Sequence, residues 1–282
     1  MKKNKKRESI LFKIIAYTVC GILVVLSILP FWIMIVNATR STFQIQQDAL
    51  SFIPSKFLWS NVQILLGKTF DPLRGLINST IISTSSTIFT IYFSALTAYA
   101  LVAYNWKLRG SFFTFIMAVM MIPAQVSSIG FYQFMYKIGL TNNFLALILP
   151  TIATPAAVFF MRQFMLASLP LELVEAARID GAGEFYTFNK IVLPIMKPAM
   201  ATQAIFTFVS SWNNLFLPLI LLTKSEKYTM PIMVSLLRGD IYKTEYGAVY
   251  LGLALTVLPI FIVYFLLSKY IVEGVALGSV KG

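Results

Sequence analysis

The sequence predicts an all-α polytopic membrane protein with six transmembrane helices. Three observations carry that expectation. Hydrophobic residues make up 58% of the 282 residues and charged residues only 12%, about half the charged share of a soluble domain. The mean hydropathy, +0.77, is too high for a surface that faces water. The apolar residues also gather into six separate runs, each near the ~20 residues that a helix needs to cross a bilayer.

A basic tail, residues 1–13, precedes the first run at 14–36. That run starts like a signal peptide. It is too long for such a segment and lacks a small-residue cleavage site at its end, so it reads as an uncleaved first span. An extracytoplasmic loop, 37–75, follows. Phe52, Pro54, Phe57, Leu58 and Trp59 make it too apolar for a plain linker, and it is expected to fold over the outer face. The other five runs, 76–103, 112–136, 144–161, 200–222 and 248–267, belong to a transmembrane domain covering 76–270. Residues 271–282 form a C-terminal tail. In the outer segment between the last two spans, Met230–Leu237 reads as a short helix opened by Pro231. It either dips toward a cavity or lies flat at the membrane interface.

Charge sets the orientation. With the N-terminus in the cytoplasm, fourteen of the 23 Lys and Arg residues fall on inside segments, as the positive-inside rule requires. An even number of spans returns the C-terminus to the same side. The net charge of +12 is therefore topological. It forms no stripe between aromatic platforms, and no nucleic-acid partner is expected. One cysteine, Cys20, excludes an internal disulfide, and the absence of histidine leaves no His/Cys zinc site.

The six spans, as drawn, contain no Asp, Glu, Lys or Arg. Ion-driven carriers keep such groups in the membrane as relays or ligands, so the driving energy is expected from outside the bilayer. The second span carries Ser79, Ser83, Ser86, Thr87, Thr90, Ser94 and other hydroxyls. They form either a wall of a polar path or helix–helix contacts. Pro123, Pro150, Pro155, Pro218 and Pro259 are expected to kink the later spans.

The largest cytoplasmic gap, 166–198, lies before the fifth span. A helix is expected from Leu169 to Asp180, with Ser168 as N-cap, Glu172 on the favourable end of the dipole and Gly181 ending it in a left-handed conformation. A second short helix is expected over Phe185–Ile191, stopped by Pro194. Leu173, Ala176, Ala177 and Asp180 would share one face open to another protein, with Glu175 and Arg178 making polar contacts beside it.

At this loop the sequence resembles a known family. Glu175-Ala176-Ala177, then Gly181, then Ile191-Val192-Leu193-Pro194 is similar in every spacing to the EAA loop of binding-protein-dependent ABC importer permeases. Ser211-Trp212-Asn213-Asn214 and the ending Gly274–Gly282 resemble the carbohydrate, maltose-type branch. Many relatives have an acidic residue where this chain has Asn214, and Ala where it has Ser279.

The resemblance implies the type I ABC importer permease fold in a bacterial cell membrane, with both termini cytoplasmic. It implies that Glu175, Ala176, Ala177, Arg178, Asp180, Gly181, Ile191, Leu193 and Pro194 couple the chain to a cytosolic ATPase subunit. The expected partners are two ATPase subunits, a second and different permease chain, an extracytoplasmic solute-binding protein, lipid and a sugar substrate.

No cofactor is expected on this chain, and no enzymatic activity; ATP and Mg belong to the ATPase subunits. The phosphate-loop imitation at Gly67-Lys68-Thr69 has Val62 where the first glycine belongs. Stacking on sugar faces would fall to Tyr132, Phe134, Trp212 and Phe216, with Asn213 and Asn214 beside them. A non-sugar cargo on the same architecture, such as a polyol, glycerol phosphate or amino acid, stays open at this point. So do a stand-alone carrier and a pathway-free membrane anchor.

Overall fold

The computed structural model describes residues 2–67, 71–237 and 244–279; side chains are described from Phe12 to Ser268 within those ranges, except Ala124. Lys68, Thr69, Arg238, Lys243, Val280, Lys281 and Gly282, which entered the motif and charge arguments, lie outside the described residues.

Among the described residues every regular element is helical. In chain order they are α1 (Lys2–Ala38), α2 (Thr42–Gln47), α3 (Leu58–Gly67), α4 (Pro72–Ala103), α5 (Arg109–Met120), α6 (Ala124–Lys137), α7 (Leu145–Ile148), α8 (Pro155–Ser168), α9 (Leu171–Ile179), α10 (Glu184–Thr187), α11 (Leu193–Ile195), α12 (Lys197–Trp212), α13 (Phe216–Leu221), α14 (Met230–Leu236) and α15 (Tyr246–Ser279). A 3₁₀ turn joins α7 to α8 and a π-helical turn joins α10 to α11.

Four of these stretches are long and apolar enough to cross a membrane: Phe12–Ala38, Pro72–Ala103, Leu145–Ser168 and Tyr246–Ser268. Two bent pairs raise the number to six. The third expected span is one of them. It breaks at Met121–Pro123, and α5 meets α6 at 100°. Pro123 has no N–H and pushes Ile122 out of the helical region. The amides of Met121 and Ile122 instead close a turn onto Ala118 and Val119. The other joins Glu184–Ile195 to Lys197–Trp212 at 80°. The fifth expected span is itself divided: α12 stops at Trp212, and α13 resumes at Phe216. Pro259, by contrast, sits inside an unbroken α15.

Three boundaries differ from the sequence reading. The basic tail is helical from Lys2, continuous with the first span, and α15 continues to Ser279. The helix of the fourth span runs on to Ser168, past the bounds drawn from the sequence, and so carries Arg162. The Arg162 guanidinium lies over the Phe113 ring, 4.1 Å from its centroid. A long cation over an aromatic face is a tolerable way to hold charge near the end of a span.

The chain divides into two compact units. The first joins residues 1–72 to 234–257. Its segment after α1 is folded. Arg40, 7% exposed, reaches Asn37 Oδ1 at 3.1 Å and the Gln44 carbonyl at 3.0 Å. The buried Asn61 amide donates to the carbonyls of Ala38 and Arg40 at 2.8 and 2.9 Å. These bonds satisfy carbonyls left over at the end of α1.

The second unit joins residues 73–233 to 258–282 and holds both candidate sites. Its larger core gathers Ile91, Ala95, Ala98, Tyr99 and Val102 of α4, Met161 and Met165 of α8, Val174 of α9, Phe188 and Val192. On α14, Met230 and Ile232 are fully buried, and the Met230 amide donates to Ser79 Oγ at 2.9 Å. The start of that helix packs into this unit.

Candidate functional site

The loop after α8 is built from its turn outward. Pro170, φ −69°, stands at the N-cap of α9, and Ser168 is the last residue of α8, so the expected serine cap is not used. Gly181 has φ +78°, as expected. Around it the Ala182 amide donates to the Ala177 carbonyl at 2.9 Å, and the Gly181 amide to the Arg178 carbonyl at 3.1 Å. This pair of bonds is the Schellman motif, which needs one left-handed residue.

The second expected helix is shorter and irregular. Pro194 does not stop it but opens α11 after the π-helical turn Phe188–Val192. The wider turn relieves the clash between a proline ring and the carbonyl one turn earlier. Ile191 and Leu193 are half-buried there, and Pro194 is exposed.

The structure divides the face expected on α9. Val174 and Ala177 are 1% and 6% exposed and turn into the core. Leu173, Glu175, Ala176 and Asp180 face outward, and so do Leu171 and Ile179. Ala177 is therefore a packing residue and no part of an open seam.

Arg178 also turns inward. Its Nε donates to Glu184 Oε1 at 2.6 Å and its Nη2 to Glu184 Oε2 at 3.3 Å. Tyr99 Oη donates to Glu184 Oε2 at 2.8 Å. The hydrogen bonds from Arg178 hold the Glu184 carboxyl at about 2, well below its ordinary 4.5, against the opposing effect of burial. Burial and the neighbouring carboxylate raise the Tyr104 phenol. Glu184 was legible in the sequence only as one of several acids.

A cavity of about 610 Å³ lies in the same unit. Ser86 and Thr90 of α4 line it, with Thr151 and Thr154 before α8, Gln203, Thr207, Ser210 and Ser211 along α12, and Asn214 in the break that follows. Gln203, Thr207 and Ser210 follow the three- and four-residue spacing of one helix face. No charged side chain lines the cavity among the described residues. Ser86 Oγ is buried and makes no hydrogen bond among the described residues.

The second span's hydroxyls divide among several contacts. Ser86 and Thr90 line the cavity, Ser79 accepts from the Met230 amide of α14, and Thr87 bonds back to the Ser83 carbonyl.

Of the residues expected to meet substrate, only Asn214 lines this cavity. Trp212 is 1% exposed and stacks on Phe208, 5.5 Å between centroids. Tyr132 and Phe216 line a separate shallow pocket, Phe134 is 56% exposed, and Asn213 points outward after the end of α12. The spacing that could have found the polar row is in the sequence, but the apolar residues between its members hide it.

The family described as binding-protein-dependent transport system inner membrane component matches residues 90–276, a stretch that contains the loop and every polar cavity residue named except Ser86. The chain belongs to this family. The permease is 34% identical over 259 residues to the arabinooligosaccharides transport system permease protein AraQ of Halalkalibacterium halodurans, covering 91% of this chain and 92% of the relative. It is 34% identical over 268 residues to the lactose transport system permease protein LacG of Rhizobium radiobacter, covering 95% and 96%. Its fold matches a solved bacterial ABC transporter involved in the import of the acidic polysaccharide alginate. The TM-score is 0.78 at 22% identity, over 94% of this permease and 98% of that chain. The type I importer permease fold and the multi-pass membrane character follow.

Proposed function

We propose that this permease forms half of the translocation pathway of an ATP-driven importer for a neutral sugar or oligosaccharide. In this reading α9 is the coupling helix, and it seats in a cleft of a cytosolic ATPase subunit. Two ATPase subunits hold ATP and Mg. A different permease chain supplies the other half of the path, and an extracytoplasmic binding protein delivers cargo. Both termini lie in the cytoplasm.

One observation carries the coupling role. On α9, Leu171, Leu173 and Ile179 stand exposed at 41%, 46% and 86% while Val174 and Ala177 are locked into the core. A short helix built in on one side and apolar on the other presents a surface for a partner protein. Glu175, Ala176 and Asp180 share that outer side.

The cargo class follows from the cavity. Hydroxyl and amide groups suit the hydroxyls of a sugar. An anionic cargo would meet no cation on this half of the path, and desolvating an unpaired charge is costly. The relatives named for arabinooligosaccharides and lactose agree with a sugar cargo.

The test uses the importer assembled in proteoliposomes. Ile179→Lys should abolish co-purification of the ATPase subunits and with it transport of radiolabelled arabinotriose or lactose, whichever the paired binding protein retains. Parent-like binding and transport would reject α9 as the docking element. Cysteines placed at Ser55 and Asp180, after replacement of Cys20, should label from opposite sides of the membrane.

A further inference from the structure

The inward side of the loop carries a chain of directed bonds that docking alone does not require. Glu184 accepts both donors of the Arg178 fork and the Tyr99 hydroxyl on its two oxygens. The Arg178 fork also reaches the Ala103 carbonyl at the end of α4, at 3.4 Å. A second link runs from Tyr92 Oη to Asn189 Oδ1 at 3.3 Å. Tyr92 and Tyr99 stand two turns apart on one face of α4, and both hydroxyls donate into the loop.

We propose that Glu184 is a positioning residue that fixes the loop to α4, so that movement of α9 reaches the cavity wall through the Arg178–Glu184–Tyr99 chain. The proposal rests on α9 being the ATPase-docking helix.

Three features support it. Val174 and Ala177 make the apolar contact of α9, and apolar contact is not directional and tolerates sliding. The two-pronged Arg–carboxylate pair fixes orientation as well as distance. Tyr99 is 2% exposed, and its ring is packed on Phe188 at 5.5 Å and Tyr104 at 5.6 Å, so its hydroxyl cannot swing away.

Tyr99 belongs to the same unbroken helix as Thr90 and Ser86. At ~1.5 Å per residue those two lie about 14 and 20 Å along the axis from it. A displacement at the loop end of α4 therefore carries to the cavity without crossing a joint. Glu184 touches neither cargo nor the outward side of α9, and acts through Arg178 and Tyr99.

The experiment measures solute transported per ATP hydrolysed in the assembled importer. The variants are Tyr99→Phe, Glu184→Gln, Glu184→Ala and the Tyr99→Phe/Glu184→Ala pair, with Ile179→Lys beside them. Tyr99→Phe removes one hydroxyl and keeps the ring. Glu184→Gln keeps an acceptor for Tyr99 but loses the charge that holds Arg178.

Co-purification of the ATPase subunits should match the parent for all four loop variants. The transport-to-ATP ratio should fall about threefold to tenfold for Tyr99→Phe, the scale of one hydrogen bond, and further for Glu184→Ala, with Glu184→Gln between. The double variant should equal Glu184→Ala alone. A parent-like ratio in Tyr99→Phe and Glu184→Ala overturns the proposal. So does a proportional loss of assembly, ATP hydrolysis and transport, which marks a merely structural bond. If Ile179→Lys still binds the ATPase and transports, the docking reading itself fails and takes this proposal with it.

Discussion

The Ala182 amide donates to the Ala177 carbonyl at 2.9 Å across Gly181, whose φ is +78°. A side-chain carbon at Gly181 would meet no atom within 4 Å, so only backbone strain opposes a substitution. For a β-branched residue that strain is on the order of 1–3 kcal/mol, small beside the stability of a helical bundle. Gly181→Val should insert normally and keep binding-protein docking, but lose transport and cargo-stimulated ATP hydrolysis. Gly181→Asn, which tolerates the left-handed region, should retain most of both. Transport by Gly181→Val at the parent rate would separate this turn from coupling.

Gly247 is constrained by space. A side-chain carbon there would stand 2.4 Å from the Arg40 carbonyl oxygen and 2.4 Å from Asn61 Nδ2. The Asn61 amide is already tied to Ala38 and Arg40, so it cannot retreat without losing both bonds. Gly247→Ala should destabilise by about 1–3 kcal/mol. Gly130→Ala lies in α6 with nothing within 4 Å; it should be neutral or stabilising, by up to about 1 kcal/mol. Thermal unfolding in detergent should fall for purified Gly247→Ala and stay level or rise for Gly130→Ala.

Acid should loosen the loop in a defined window. The Glu184 carboxyl is lowered from 4.5 to about 2, first by its hydrogen bonds from Arg178. A lowered folded-state value means that its contribution is fully present above 4.5 and is lost as the pH falls toward 2. Trp106 shares a pocket with Glu184 and reports the change by fluorescence. Its emission should hold steady from pH 8 down to about 4 and change as the pH falls toward about 2, where the carboxylate of the folded loop takes up its proton. In Glu184→Gln the step should be absent.

Cavity and pocket variants should separate the two groups of candidate substrate residues. Ser210 lines the cavity and is exposed to it, while Phe134 is exposed and lines neither that cavity nor the pocket at Tyr132. Ser210→Leu narrows the path and removes a hydroxyl. Transport should fall by about tenfold, comparable to one lost polar contact, with ATPase-subunit binding unchanged. Phe134→Ala should transport like the parent. The opposite ranking would move the path to the aromatic residues.

Much of the architecture is written in one dimension. Long apolar runs specify helices that cross a bilayer, because lipid offers no partner for an unsatisfied backbone group. The spacing from Glu175 to Pro194 locates the loop, and Gly181 ends α9 because few other residues adopt its φ. Those features depend on a residue and its neighbours in the chain. Which way α9 faces does not. Val174 and Arg178 turn inward because Tyr99, Phe188 and Glu184, remote or across a turn, provide the packing and the acceptor. The cavity is of the same kind. Its polar residues come from α4, α12 and the segment before α8, and each is separated in sequence by residues that serve the core. Pro123 marked the break at Met121–Pro123, but the break at Asn213–Leu215 was hidden inside a continuous apolar run, because hydropathy measures a segment's preference for lipid and is blind to the direction of its axis. Composition and spacing therefore determined that this chain is a membrane permease. Only the packing of distant segments decided which side chains line its cavity and which hold its loop in place.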